Sequence, residues 1–170
     1  MRRQLAALLS SVLLLNAPAV EVPQEVFAPE WRLENVGGST ISFTAEDQLR
    51  PAVLLFWTSW CPYCRELMPF LDRIQREYAA RGVSVYALNI WEDSDPLAYF
   101  SERQYVMPLL LAADLVAEDY GVKSTPAVLV VDESLRVHYV RERGDAAADV
   151  DSAVRVTLNR LLDASLPGSP

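Results

Sequence analysis

F-W-T-S-W-C-P-Y-C-R-E-L-M-P-F, Phe56 to Phe70, contains both cysteines of the chain, Cys61 and Cys64. The apolar run Val53 to Trp57 has the length and composition of a buried strand. From Pro62 onward, Leu67, Phe70, Leu71, Ile74 and Tyr78 recur at helical spacing on one stripe. The cysteines therefore fall where a strand ends and a helix begins. Pro62 suits the first helical position, because it has no N–H to leave unpaired and its φ is already helical. Cys61 then sits at the helix N-terminus, where free backbone N–H groups and the positive end of the helix dipole favour thiolate over thiol. The spacing along the helix brings Cys64 onto the same face, within reach of a disulfide. The stretch thus predicts Cys61 as an exposed, attacking thiol and Cys64 as the thiol that resolves what Cys61 forms.

Two other uses of paired cysteines compete with this one. A structural zinc site needs about four ligands, whereas the chain offers these cysteines and one distant histidine, His138; no metal is expected. A structural disulfide stabilises by closing a long loop, and a bridge across Pro62 and Tyr63 closes almost none. A tight dithiol with a tuned thiolate reads as redox equipment whose only cofactor is its own Cys61–Cys64 disulfide.

The N-terminal segment has the marks of an export signal. Met1-Arg2-Arg3 is basic, Leu5 to Leu15 is apolar, and Ala17-Pro18-Ala19 is a small-x-small cleavage pattern, so residues 1–19 read as a secretory signal peptide cleaved after Ala19. The apolar run is shorter than the ~20 residues that a spanning helix needs, which ranks an uncleaved membrane anchor second. The expected location is periplasmic or otherwise extracytoplasmic. The length of 170 residues suits one domain: a linker over 20–29, a domain over 30–165 and a tail over 166–170. Cleavage removes Arg2 and Arg3 and no acid, taking the formal charge from −8 to −10. That balance argues against nucleic acid or an anionic membrane as partner and fits basic or neutral polypeptides, or simply solubility.

Along the domain, Trp31 to Leu33 and Thr40 to Phe43 flank Gly37-Gly38, a two-residue turn signal, and read as a hairpin. After the central strand and its helix, Gly82 ends the helix and Val83 to Ile90 reads as a buried parallel strand. Strand, helix and strand form a right-handed crossover. Ser94 or Asp95 caps a helix opened by Pro96 and ending near Tyr105. Met107 to Leu111 is a short apolar piece, and Asp114 to Tyr120 a short helix closed by Gly121. Ala127 to Val131 is a strand led by Thr125-Pro126, where proline's missing N–H cannot join the ladder. Val137 to Val140 returns as an edge strand. His138 alternates there with Val137 and Tyr139, so it faces solvent or a loop rather than Cys61. Gly144-Asp145 opens a last helix carrying Val150, Val154, Leu158, Leu161 and Leu162.

The pattern F-W-T-S-W-C-P-Y-C, with Pro69 later in the helix, resembles the thioredoxin superfamily. The hairpin before the central strand brings the chain closer to the exported TlpA-like branch, which includes ResA-like and cytochrome c maturation thioredoxins. The likeness runs from about Ala28 to Leu162. It implies an α/β thioredoxin fold, a central mixed sheet flanked by helices, with an added N-terminal hairpin. It implies a thiol–disulfide oxidoreductase whose partners are protein disulfide substrates and a membrane electron donor. It also implies a kink at Pro69 and a cis proline facing the cysteines, for which Pro126 is the candidate. Thr125 beside it would offer its backbone to an extended substrate, and Trp60, Pro62 and Tyr63 would border that substrate.

The chain also departs from the pattern. Cytosolic thioredoxins have a buried Asp–Lys pair behind the cysteines, and the matching positions are Leu55 and Ala87. Many TlpA-like proteins carry a glutamate where this chain has Leu67. Its acid is one residue earlier, at Glu66, and about 100° round the helix, so Glu66 is expected to face elsewhere. Reductase, disulfide-introducing oxidant and non-catalytic binding module remain the competing functions, and the first two use the same residues.

Overall fold

The computed structural model describes residues 25–165. The expected signal peptide (1–19), residues 20–24 of the expected linker and the tail (166–170) lie outside them. In chain order the elements are β1 (Trp31–Glu34), β2 (Thr40–Phe43), β3 (Ala52–Trp57), α1 (Pro62–Tyr78), β4 (Ser84–Asn89), α2 (Pro96–Glu102), β5 (Leu109–Leu110), α3 (Asp114–Asp119), β6 (Ala127–Val131), β7 (Val137–Val140) and α4 (Ala147–Ala164). β1 and β2 pair with each other. The other five strands form one mixed sheet in the order β5-β4-β3-β6-β7, with β3, β4 and β5 parallel and β6 and β7 antiparallel to their neighbours.

β3 is central, and all six of its residues are buried. A strand covered on both faces needs such an unbroken apolar run. Its side chains alternate between two cores. Val53, Leu55 and Trp57 enter one with Leu67, Leu71 and Ile74 of α1 and Val150, Val154 and Leu158 of α4. Ala52, Leu54 and Phe56 enter the other with Trp31, Phe43, Val116 and Ala117. The hairpin is thus the lid of the second core. Trp31 stacks on Phe43 with ring centroids 4.9 Å apart, and Phe43 meets Tyr86 of β4 edge-on at 5.9 Å.

Several local expectations need correcting. The hairpin turn is not the two residues Gly37-Gly38. It runs from Asn35 to Ser39, because the Asn35 side chain accepts hydrogen bonds from the N–H groups of Gly37 and Ser39 at 2.9 and 3.0 Å and widens the loop. Residues 25–29, expected as linker, dock on the fold: the Ala28 N–H donates to Leu135 O and the Val137 N–H to Val26 O, both at 2.8 Å. α2 is capped by Asp95, whose carboxylate accepts the Ala98 N–H at 2.8 Å, and ends at Glu102, short of Tyr105. α4 starts at Ala147, since Gly144 has φ 99° and cannot enter a helix. In α1 the inward stripe takes Met68 in place of Phe70, which is half-buried at the margin.

One buried acid was not legible in the sequence. Asp72, on the inner side of α1, accepts the Val106 N–H at 2.6 Å and Arg76 Nε at 2.8 Å, tying the segment after α2 to the helix.

Candidate active site

β3 ends at Trp57, and the turn Thr58-Ser59-Trp60 delivers the chain to α1. Cys61 is the N-cap residue, with extended backbone (φ −75°, ψ 119°), and Pro62 opens the helix. The Cys61 carbonyl accepts the Arg65 N–H at 3.1 Å, the first bond of the helical ladder. The site's base is apolar. Leu55 and Ala87 are register partners on β3 and β4, both fully buried, and share one core cluster with the two cysteines. Trp57 packs in the same core against Tyr99 and Phe100, with ring centroids at 5.7 and 5.2 Å.

Both cysteines are free thiols. Cys61 is not exposed, as the reading of the helix end had it: it retains 5% of its surface, and Cys64 none. The physical reason is the segment before β6. The Thr125 carbonyl lies 3.7 Å from Cys61 Sγ, which covers a sulfur that the helix end alone would leave open. Thr125 is half-buried and Pro126 is buried, and the peptide bond between them is cis.

The two thiols are driven apart in acidity. Burial pushes Cys61 up, but hydrogen bonds from the Cys64 N–H, from the Thr125 and Cys64 side chains and from the Tyr63 N–H outweigh it, and Cys61 lies below the ordinary thiol value. Cys64 is pushed up to about 12, first by burial and then by its hydrogen bond to, and repulsion from, the Cys61 sulfur; a Thr58 N–H bond only partly offsets this. A single strand-to-helix junction thus holds a ready nucleophile and a protonated reserve.

Around the sulfurs, Trp60 and Tyr63 stand out from the surface, 46% and 67% exposed, and Pro62 is exposed with them. Beside them opens a groove of about 500 Å³ lined by Tyr63, Glu66, Thr125, Pro126, Arg143 and Ala147, among others. Of the residues singled out from the sequence, Tyr63, Thr125 and Pro126 line this groove, while Trp60 and Pro62 do not, the Trp60 indole being tied to the Trp91 carbonyl. Glu66 was expected to face elsewhere and instead lines the groove, because the groove extends along the first turns of α1 rather than only above Cys61. His138 lies away from the cysteines: its Nε2 is 2.8 Å from Asp132 Oδ2, and its Nδ1 is 3.4 Å from Arg160.

The AhpC/TSA family profile matches residues 25–140. The chain belongs to the AhpC/TSA family. Thioredoxin-like protein YneN of Bacillus subtilis (strain 168) is 31% identical over 111 residues, 62% of this chain and 64% of the relative. Thiol:disulfide interchange protein DsbE of Allochromatium vinosum is 32% identical over 123 residues, 69% of this chain and 64% of the relative. The chain therefore spans just under two thirds of the length of these curated relatives. The crystal structure of the thioredoxin domain of a thiol-disulfide oxidoreductase from Bacteroides vulgatus superposes with a TM-score of 0.67 at 19% identity, covering 79% of this chain and 96% of that one. With the observed sheet order, that superposition makes this member of the AhpC/TSA family a thioredoxin fold with an added N-terminal hairpin.

In this family member, a further residue holds the cysteine turn, and sequence reasoning missed it. Glu92, in the loop after β4, accepts the Ser59 N–H, the Ser59 hydroxyl and the Asn89 Nδ2 amide, each at 2.8 Å. The Arg65 guanidinium donates to the Ser59 carbonyl at 2.8 Å from the other side. The neighbouring Trp91 carries φ 48°, a conformation that costs roughly 1–3 kcal/mol for a residue other than glycine. It is held there because its N–H donates to Asp114 Oδ1 at 2.9 Å and its carbonyl accepts the Trp60 indole N–H at 3.0 Å. No sequence signal separates Glu92 from the acids around it, since Ser59 is 33 positions away.

Proposed function

We propose that this chain is an extracytoplasmic thiol–disulfide oxidoreductase that reduces specific protein disulfides through Cys61 and Cys64. The observation that carries the exchange reading is the placement of two free thiols in one helix turn, Cys61 at the N-cap against the Thr125 carbonyl and Cys64 fully buried. The likeness to reductases carries its direction. The Cys61 thiolate attacks one sulfur of a substrate disulfide, forms a mixed disulfide and releases the other sulfur as a thiolate. Cys64 then gives up its proton and attacks the Cys61 sulfur. The second substrate thiol leaves, and the Cys61–Cys64 disulfide closes. The substrate has gained two electrons and the Cys64 proton, and its second thiolate takes from solvent the proton that Cys61 gave up on ionising.

Burial is what chiefly keeps Cys64 protonated, and the adjacent Cys61 sulfur adds to it. Once Cys61 is bonded to substrate it carries no negative charge, and that added contribution is gone. Formation of the mixed disulfide therefore primes the resolving thiol. The departing substrate thiolate is the base nearest to hand for its proton.

Trp60, Pro62 and Tyr63 border the bound polypeptide, and the Thr125 backbone beside Pro126 pairs with it as an added strand. The leader read in residues 1–19 supports export, and relatives carrying the names ResA and DsbE support the reaction class. A membrane electron donor returns the disulfide to the dithiol, and the likeness to cytochrome c maturation thioredoxins points to substrates of that process. The competing direction is oxidation of substrates by the same residues.

The test is the reduction potential of the purified protein, equilibrated with glutathione buffers and followed by tryptophan fluorescence, to which Trp60 is well placed to respond. A reductase belongs near the thioredoxin pole at roughly −270 mV, an oxidant near the DsbA pole at roughly −120 mV. That separation corresponds to about 7 kcal/mol for a two-electron couple. A value at the oxidising end overturns the reductase reading.

A further inference from the structure

We infer that the groove beside the cysteines selects an extended polypeptide whose disulfide is flanked by side chains of opposite charge, an acid reaching Arg143 and a base reaching Glu66. The inference rests on the exchange reading above and names the class of substrate.

Four charged side chains line the groove: Glu66, Arg141, Arg143 and Asp145. Two of them are committed to the chain itself. Arg141 donates to the Pro126 carbonyl at 3.2 Å and to the Asp145 carbonyl at 2.9 Å, and Asp145 Oδ2 accepts the Glu142 N–H at 2.9 Å. These bonds shape the floor and the loop before α4. The other two are not so committed. Arg143 has a single long contact, 3.4 Å to Ser124 Oγ, and no ion pair among the described residues. Glu66 has neither hydrogen bond nor ion pair among them. Both side chains are exposed, and they come from different elements, Glu66 from α1 and Arg143 from the loop between β7 and α4.

An acid and a base that line one groove without pairing leave it with two separated charges of opposite sign. A ligand satisfies both only if it carries the complementary pair at the same separation. A polypeptide laid along Thr125 does this readily, because its side chains alternate faces: the residues just before and just after its cysteine share one face and stand about 7 Å apart along the strand. Uniformly acidic or uniformly basic segments satisfy one wall and meet repulsion at the other. Both sites are at the rim, where a charge pair contributes modestly and is screened by salt. The pair therefore sorts substrates rather than binding them tightly.

The experiment uses the reduced full-length protein and short peptides, each with one cysteine in mixed disulfide with mercaptoethanol. One peptide is neutral, one carries Asp before and Lys after the cysteine, and one has the reverse order. At low salt, one charged order should exceed the other in kcat/KM by about threefold to tenfold, and the difference should collapse in concentrated salt. The double variant Glu66→Lys with Arg143→Glu should invert the preference. Equal rates for the two orders, or a preference that survives the charge swap, overturn the inference while exchange itself stands. Failure to reduce even the neutral peptide removes the exchange reading, and this inference with it.

Discussion

Replacing Glu92 with alanine tests whether the turn before Cys61 is held from outside the helix. Glu92 receives three hydrogen bonds at 2.8 Å, from the Ser59 N–H, the Ser59 hydroxyl and the Asn89 amide. Ser59 is 4% exposed and Asn89 2%, so water reaches their donors poorly once the carboxylate is gone. Each buried donor left unsatisfied costs about 1–3 kcal/mol, and Asn89 keeps a second acceptor, the Trp57 carbonyl, at 3.4 Å. With that partner and partial solvent entry at the half-exposed Glu92, the expected loss is about 3 kcal/mol. Urea unfolding should report it as a lower midpoint with an unchanged slope.

Glu92→Gln retains one carbonyl oxygen and should lose roughly half as much. The same clamp predicts a pH dependence. Burial pushes the Glu92 carboxyl up, but hydrogen bonds from Asn89, Ser59 and Ser94 outweigh it and hold it below its ordinary value of 4.5. A lowered carboxylate contributes its stability above the unfolded-state value and loses it as pH falls through the folded-state value. Glu92→Ala should therefore flatten part of the acid limb of the stability curve. A loss under about 1 kcal/mol, with the acid limb unchanged, refutes the reasoning.

Two further outcomes follow from the site and the fold. In pH-dependent alkylation of the reduced protein, Cys61 should react below the ordinary thiol value of 9.0, while Cys64 stays unmodified until the pH nears 12; earlier labelling of Cys64 reverses the assignment of roles. Phe43→Ala should destabilise by about 3–5 kcal/mol, since Phe43 is fully buried between Trp31 and Tyr86, and a loss near zero in thermal or urea unfolding means the hairpin is an appendage rather than the lid of a core.

Much of this protein was determined by local sequence, because the chemistry concerned is local. The run Ala52 to Trp57 can only be a strand covered on both faces. Pro62 can open a helix and Gly82 can close one, and that junction places Cys61 among free N–H groups whatever the remainder of the chain does. The alternation of β3 and the spacing of Leu67, Leu71, Ile74 and Tyr78 along α1 prescribe most of the side chains that enter each core, with Met68 taking the place expected of Phe70. What the sequence left open concerns groups brought together from distant positions.

Cys61 looks exposed until the Thr125 carbonyl, 64 residues on, comes to lie 3.7 Å from its sulfur. Glu66 looks misplaced until the loop before α4 extends the groove along α1. Glu92 is one acid among several until β4, pairing with β3, brings it to Ser59. Asp72 looks like a surface residue until the Val106 N–H arrives. A hydrogen bond needs its two atoms within about 3 Å, and no periodicity in the sequence records which distant donor will meet which acceptor; sheet pairing and helix packing decide that.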